Sequence, residues 1–195
     1  MINQELKNEI SAIIKESPIH NDLDHANAAL KWLLYLNPDA DLALQISAFG
    51  HDIDRGVSKL TEKDRPKEVP YEKYKNDHAR RSAEILTKIL EERNYDQKFI
   101  EKVQNLVEKH EVGGDEDAEY LKDADSIAYF EFNIPMYLDR NGEEATRHKI
   151  HFMYDRASES AKNIIKEMKF TDPQIKKLIE EEIKGDVYER KRIYR

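Results

Sequence analysis

Apolar residues recur along this chain at intervals of three and four, the spacing that lines one face of a helix. Ile2, Leu6, Ile10, Ile13 and Ile14 predict a first helix over residues 2–16, stopped by Ser17-Pro18. Asn21 or Asp22 is placed to cap a second helix running to Leu36, with Ala26, Ala29, Leu30, Leu33 and Leu34 inward. Asn37-Pro38-Asp39 interrupts the chain. The segment that follows, with Leu42, Ala43, Leu44, Ile46, Ala48 and Phe49, is apolar nearly all round and is expected in the centre of a domain. Residues 54–70 read as an irregular charged loop. Helical spacing resumes from Tyr71 to about Arg93, over 96–111 up to the stop at Gly113-Gly114, and over 117–132. Pro135 starts or kinks the next segment. Two further helices, about 143–168 and 172–190, are expected before a basic tail, GDVYERKRIYR, that frays or docks at an interface. No segment alternates as a strand would. The prediction is all-α, one helical domain over 1–195.

Composition narrows what such a bundle can do. The 195 residues fit one domain of ordinary size. Charged residues are 37% of the chain while Gly and Pro number six each, a balance that favours solvated helices over sheet. The net charge of −8 argues against bulk nucleic-acid or anionic-membrane binding. No cysteine is present, so any transition metal must be held by His, Asp and Glu. No apolar run reaches the ~20 residues that span a bilayer. The N-terminal segment is amphipathic and acidic, unlike a signal peptide, and a cytoplasmic location is expected.

Histidine and carboxylate stand side by side four times: Asp24-His25, His51-Asp52, Asp77-His78 and His110-Glu111; Asp123 and Asp125 follow. Each lies on a predicted helix or at its end, and helices distant in sequence can converge such side chains on one point in a bundle. His51-Asp52 directly follows the most apolar helix. An ionised Asp there is costly unless paired or metal-bound. A neutral imidazole beside a carboxylate suits divalent Fe, Mn, Co, Ni or Zn. Taken alone the pair is equally a helix cap, His78 a cap, and His110 a last-turn histidine favoured by the helix dipole.

The order of these residues resembles the HD superfamily of metal-dependent phosphohydrolases. LDHANAALKWLL resembles its first His helix, LQISAFGHDIDRG its apolar helix leading into the His-Asp pair, and LKDADSIAYF its last Asp helix. The resemblance covers about residues 20–130 and leaves a C-terminal helical extension, about 143–195, outside it. It implies one metal held by His25, His51, Asp52 and Asp125. His78 in YKNDHARRSAEIL and His110 in LVEKHEVGG stand where binuclear members carry ligands for a second ion, with Asp52 bridging. One or two divalent ions (Fe, Mn, Co, Ni, Zn or Mg) are therefore expected. Asp123 is the alternative to Asp125; two residues apart on a helix, they cannot face one point, and the family register selects Asp125. Asp24 and Glu111 are expected as outer or surface groups, His20 as a loop residue, and His148 and His151 as partly buried or exposed.

By the same resemblance the activity is hydrolysis of a phosphomonoester or phosphodiester, in a small phosphorylated substrate such as a nucleotide, by metal-activated hydroxide. His51, Asp52 and Arg55 are the expected catalytic residues. Residues 101–125 hold nine acidic side chains against three lysines, so cations must line a phosphate pocket. Arg55, Lys75 and Arg81 are chosen for this. Lys149 and Arg156, seven apart, share a face with Phe152 and Met153 between; that face is a solvated basic stripe on the plainer reading, or meets a base and its phosphates. Tyr71, Tyr74, Tyr129 and Tyr154 are stacking candidates, more simply packing residues. Two other functions compete: a non-catalytic nucleotide-sensing or regulatory HD module, and a helical adaptor whose C-terminal helices form a homodimer.

Overall fold

The computed structural model describes residues 1–184, and among them every regular element is helical. The tail GDVYERKRIYR lies outside the described residues.

Helix α1 (Gln4–Ile14) is capped by Asn3, whose side chain accepts from the Leu6 amide. Helix α2 (Asp22–Leu36) starts at Asn21, which makes no side-chain cap bond. Helix α3 (Leu42–Gly50) is capped by Asp41, two residues past the predicted restart at Asp39. As its composition predicts, α3 is buried from Ala43 to Gly50, and α2, α6 and α7 pack around it. Its polar side chains are satisfied within the chain: Ser47 donates to the Ala43 carbonyl and Gln45 to that of Ala40.

The stretch predicted as loop contains a short helix, α4 (Asp54–Ser58), and a 3₁₀ turn (Glu62–Asp64) closed by reciprocal Thr61–Asp64 bonds. Helix α4 lies so close to α1 that a Cβ on Gly56 would stand 2.0 Å from the Ile13 carbonyl oxygen. Helices α5 (Tyr71–Glu92) and α6 (Gln97–Lys109) pack as a hairpin. The chain then reverses through Gly113 and Gly114, at φ 74° and 126°, conformations open to glycine at little steric cost. Helix α7 (Glu116–Ala128) packs along α2 and runs into a π-helical turn (Tyr129–Asn133).

Pro135 sits in the first turn of α8 (Ile134–Asp155), which is broken at Gly142 by a φ of 81°. The single helix expected over 143–168 is two. Helix α8 ends at Asp155, and Ser158 caps α9 (Glu159–Glu167). The break is held from afar, because the Ser158 amide and hydroxyl both donate to Asp123. Helix α10 (Pro173–Lys184) packs back on α8. Leu6, Ile10, Phe49, Leu86 and Val107 centre one core; Phe130, Ile150, Met153, Ile165 and Leu178 centre another, and the π turn contributes to the latter.

Candidate metal centre

Four helix ends and one helix middle deliver the ligand groups. His25 comes from the first turn of α2, His51 and Asp52 from just past α3, His78 from α5, His110 from the end of α6, and Asp125 from α7. All six are buried, none above 9% exposed. The histidines gather closely: His51 is edge to face with His25 at 5.2 Å and tilted against His110 at 5.1 Å, centroid to centroid.

Backbone and carboxylate partners fix which nitrogen is free. His51 Nδ1 lies 2.9 Å from the Ala48 carbonyl and His110 Nδ1 2.7 Å from that of Val107. A carbonyl can only accept, so these nitrogens carry the hydrogen and each Nε2 turns inward. His78 Nδ1 sits 2.9 Å from Asp54 Oδ2 and is oriented in the same way. Carboxylate- or carbonyl-bound imidazoles of this kind are the usual support of metal-ligating histidines.

The inward atoms have the spacing of a coordination shell. His25 Nε2 is 3.2 Å from His51 Nε2 and 3.1 Å from Asp125 Oδ1; His51 Nε2 is 3.5 Å from that same oxygen. Asp52 Oδ2 is 3.8 Å from His25 Nε2 and 3.6 Å from His51 Nε2. Ligands about 2.1 Å from a common ion stand roughly 3.0 Å apart at octahedral and roughly 3.4 Å at tetrahedral corners. The other carboxyl oxygen, Asp52 Oδ1, turns to His78 Nε2 at 2.8 Å. Thus His25–His51–Asp52 and Asp52–His78–His110 form two buried groups, each with ligand atoms within 4.8 Å of one another, sharing Asp52. These residues fit divalent ions.

Electrostatics follow from burial and close pairing. Burial opposes the charge of Asp52, yet Arg55, His51 and His78 hold its carboxyl well below the usual carboxylate range. Asp125 is held down against burial by Arg156, His25 and His51. Burial also opposes protonation of His51, but Asp52 and Asp125 outweigh it and raise the imidazole to about 9. For His110 burial wins over Glu111 and lowers it to about 4, leaving a neutral ring.

The expected substrate residues divide. Arg55 lies in the wall of the pocket above the cluster, bound to Asp52 and 3.5 Å from Asp22. Lys149 and Arg156 line it too, so their face is no solvated stripe. Lys149 Nζ is 2.9 Å from Glu62 Oε1 and 3.2 Å from Tyr71 Oη, while Arg156 binds Asp125, Glu111 and Ser126. The two side chains are largely covered, at 16% and 8% exposure. Arg81 turns elsewhere: its guanidinium makes a two-pronged contact with Asp54 at 2.9 and 2.8 Å. It supports His78 through Asp54. Lys75 packs over the Phe152 ring and reaches Glu111 at 3.7 Å. Asp123 accepts from Ser158, the cap of α9, leaving Asp125 as the aspartate at the centre. Asp24 and His20 are exposed, His148 is exposed, and His151 pairs with Asp155 at 3.0 Å. Tyr154 packs in the core against Phe130, whereas Tyr129 reaches the pocket.

Sequence reading missed Asp22, Asp54 and Glu62; Glu111 is an outer group, 3.7 Å from His110 Nε2 and bound to Arg156. Asp54 had a signal, being a buried-side carboxylate two residues past His51-Asp52. Glu62 had none: Tyr71 is nine residues on, but its other partners, Lys149 and Tyr137, are more than seventy residues away. The pocket has an interior of about 60 Å³ and is open on one side. Around centre and pocket, six carboxylates (Asp22, Asp52, Asp54, Glu62, Glu111, Asp125) face five cations (Arg55, Lys75, Arg81, Lys149, Arg156). With the histidines neutral the balance is one charge short, and a single divalent ion would turn it positive.

No curated protein and no solved structure matches the chain. A family model matches residues 3–179, a span that takes in α8 and α9 with their Lys149 and Arg156; the chain belongs to that family, described as Domain of unknown function (DUF4202).

Proposed function

We propose that this protein is an HD-type metal-dependent phosphohydrolase acting on a phosphomonoester or phosphodiester of a small substrate such as a nucleotide. The observation that carries the reading is the division of Asp52 between two histidine groups. A carboxylate bridging two ions is the arrangement suited to polarising water and neutralising phosphoryl charge. His25, His51, Asp52 and Asp125 would hold one ion, and Asp52, His78 and His110 a second. Arg55, Lys149 and Arg156 stand where a phosphate group entering the pocket would exchange their internal carboxylate partners for its own oxygens. The Phe152 ring lies against Lys149 and Arg156, and Met153 lines the pocket.

The test is metal content of the purified protein, followed by turnover of nucleotide mono-, di- and polyphosphates with Mn, Fe, Co and Ni. Bound ion and release of phosphate, both lost in Asp52→Ala, are expected. A protein that binds no divalent ion and turns over none of these esters overturns the reading. Tight nucleotide binding without turnover under every metal would instead favour a regulatory module.

A further inference from the structure

Beside the metal centre the pocket has a second wall, which meets the cations only where Asp22 faces Arg55. It is built from the start of α2 and from the π turn. Four of its polar atoms are buried without a hydrogen-bond partner: Asn21 Oδ1, Asp22 Oδ1, Tyr129 Oη and Asn133 Oδ1. All four residues line the pocket that also holds Asp52, Arg55 and Lys149. Three of the residues are deeply buried, at 8% exposure for Asn21, 1% for Asp22 and 3% for Tyr129, and the half-buried Asn133 has its Oδ1 covered. Asp22 Oδ1 has the Arg55 guanidinium at 3.5 Å, within reach of its charge but too far for a hydrogen bond.

A buried polar atom left unpaired forfeits its hydration with nothing in return, so a group of four around one pocket calls for a ligand that satisfies them. The wall is also preformed. Asn21 donates its amide to the Phe132 carbonyl at 3.4 Å, which leaves its oxygen as the free end, and Ser17 occupies the other oxygen of Asp22. Tyr129 and Asn133, four apart, share a face because the chain keeps turning through the π segment. Such turns are rare and recur at functional sites.

The chemistry of the wall selects the ligand. Three of the free atoms are oxygens that only accept, and the fourth is a phenol that gives or takes a proton. An anionic group would be repelled by Asp22, and an apolar group would leave every orphan unpaired. Adjacent hydroxyls, each a donor and an acceptor, satisfy such a wall.

We infer that Asn21, Asp22, Tyr129 and Asn133 form a subsite for the hydroxyl groups of a polyol, so that the substrate is a phosphate ester of a hydroxylated sugar. This rests on the phosphohydrolase reading for the phosphate end only. The sugar is either free or the ribose of a nucleotide. In both cases the phosphate lies toward Arg55 and Lys149 and the hydroxyls toward the π turn.

The experiment uses calorimetric binding to the full chain and turnover with manganese, side by side. Ribose 5-phosphate is paired with 2-deoxyribose 5-phosphate, AMP with 2′-deoxy-AMP, and p-nitrophenyl phosphate serves as an ester without hydroxyls. Binding of a ribo compound at least tenfold tighter than its deoxy partner is expected. A gap in the first pair assigns a free sugar phosphate, and a gap confined to the second assigns a nucleotide. Asn133→Ala and Tyr129→Phe should close that gap, read as a ratio within each pair. Equal binding within both pairs, or a gap that both variants leave intact, overturns the inference. Phosphate release from the ribo compounds separates the two readings: none, with a ribo preference in binding, sinks the hydrolase and keeps the subsite, and release from ribo and deoxy compounds alike, with equal binding, does the reverse.

Discussion

At the scale of single residues, the centre depends on side chains that touch no inward ligand atom. Arg81 grips Asp54 with two nitrogens, and Asp54 holds His78 Nδ1. Removing an outer partner of this kind commonly costs 10–100-fold in metal affinity. Arg81→Ala should therefore weaken one ion by about that factor and leave the ion at His25 and Asp125 nearly unaffected, measured by titration against a competing chelator. Arg81→Lys should not restore it, because an ammonium cannot make the two-pronged contact. Arg156 is the counterpart for Asp125. With Arg156→Ala, Asp125 keeps its histidines but loses its guanidinium, and a stability loss of about 3 kcal/mol is expected in urea unfolding. Glu62 gives a pH signature. Burial resists its ionisation, but Lys149, Tyr71 and Tyr137 hold it at about 2, below its ordinary 4.5. A carboxyl lowered on folding stabilises fully above the unfolded value, and that contribution is lost as pH falls from about 4.5 toward 2. Glu62→Gln should flatten the acid limb of a stability curve across that window.

At the scale of elements, close approaches and breaks decide what the helices present. A methyl at Gly56 would meet the Ile13 carbonyl oxygen at 2.0 Å, and no flexible side chain lies between to absorb the clash. Gly56→Ala must push α4 off α1, and a loss of about 1–3 kcal/mol in thermal or urea unfolding is expected. Much of this layout was readable from spacing alone. Helix α3 was apolar on every face and is buried on every face; α5, α6 and α7 fall within a few residues of their predicted limits. What was not readable depends on distant partners. The break at 156–158 is stabilised by Asp123, thirty-five residues earlier. Helix α4 forms within a segment whose composition reads as loop, with Asp54 fixed by Arg81 of α5. The candidate ligand histidines were legible because His25, His51 and His110 sit at helix ends beside a carboxylate and His78 follows one within α5. The cationic wall was not, since Lys149 and Arg156 are held by Glu62, Glu111 and Asp125, all more than thirty residues away, and their seven-residue spacing carries no sign of those partners.

At the scale of the whole molecule, the centre gathers residues from His25 to Asp125, and Arg156 completes its charge balance. An ion bound there is bound only by the folded chain. At a free concentration a hundred times its dissociation constant it would add about 2.7 kcal/mol to stability. Chelation should lower the melting temperature by several degrees, and the drop should vanish in Asp52→Ala. No helix among the described residues is long and apolar enough to cross a membrane.

The contact between Arg55 and Asp52 has a further consequence. That guanidinium rests on Asp52 Oδ2, the same oxygen that faces His25 and His51. An ion entering between those histidines and Asp125 would be a rival for it, and the loser would be the arginine. Loading the site would thus release a cation next to the pocket at the moment a phosphate needs one. Arrival of metal and readiness for substrate would be one exchange, with Arg55 as the piece that changes hands.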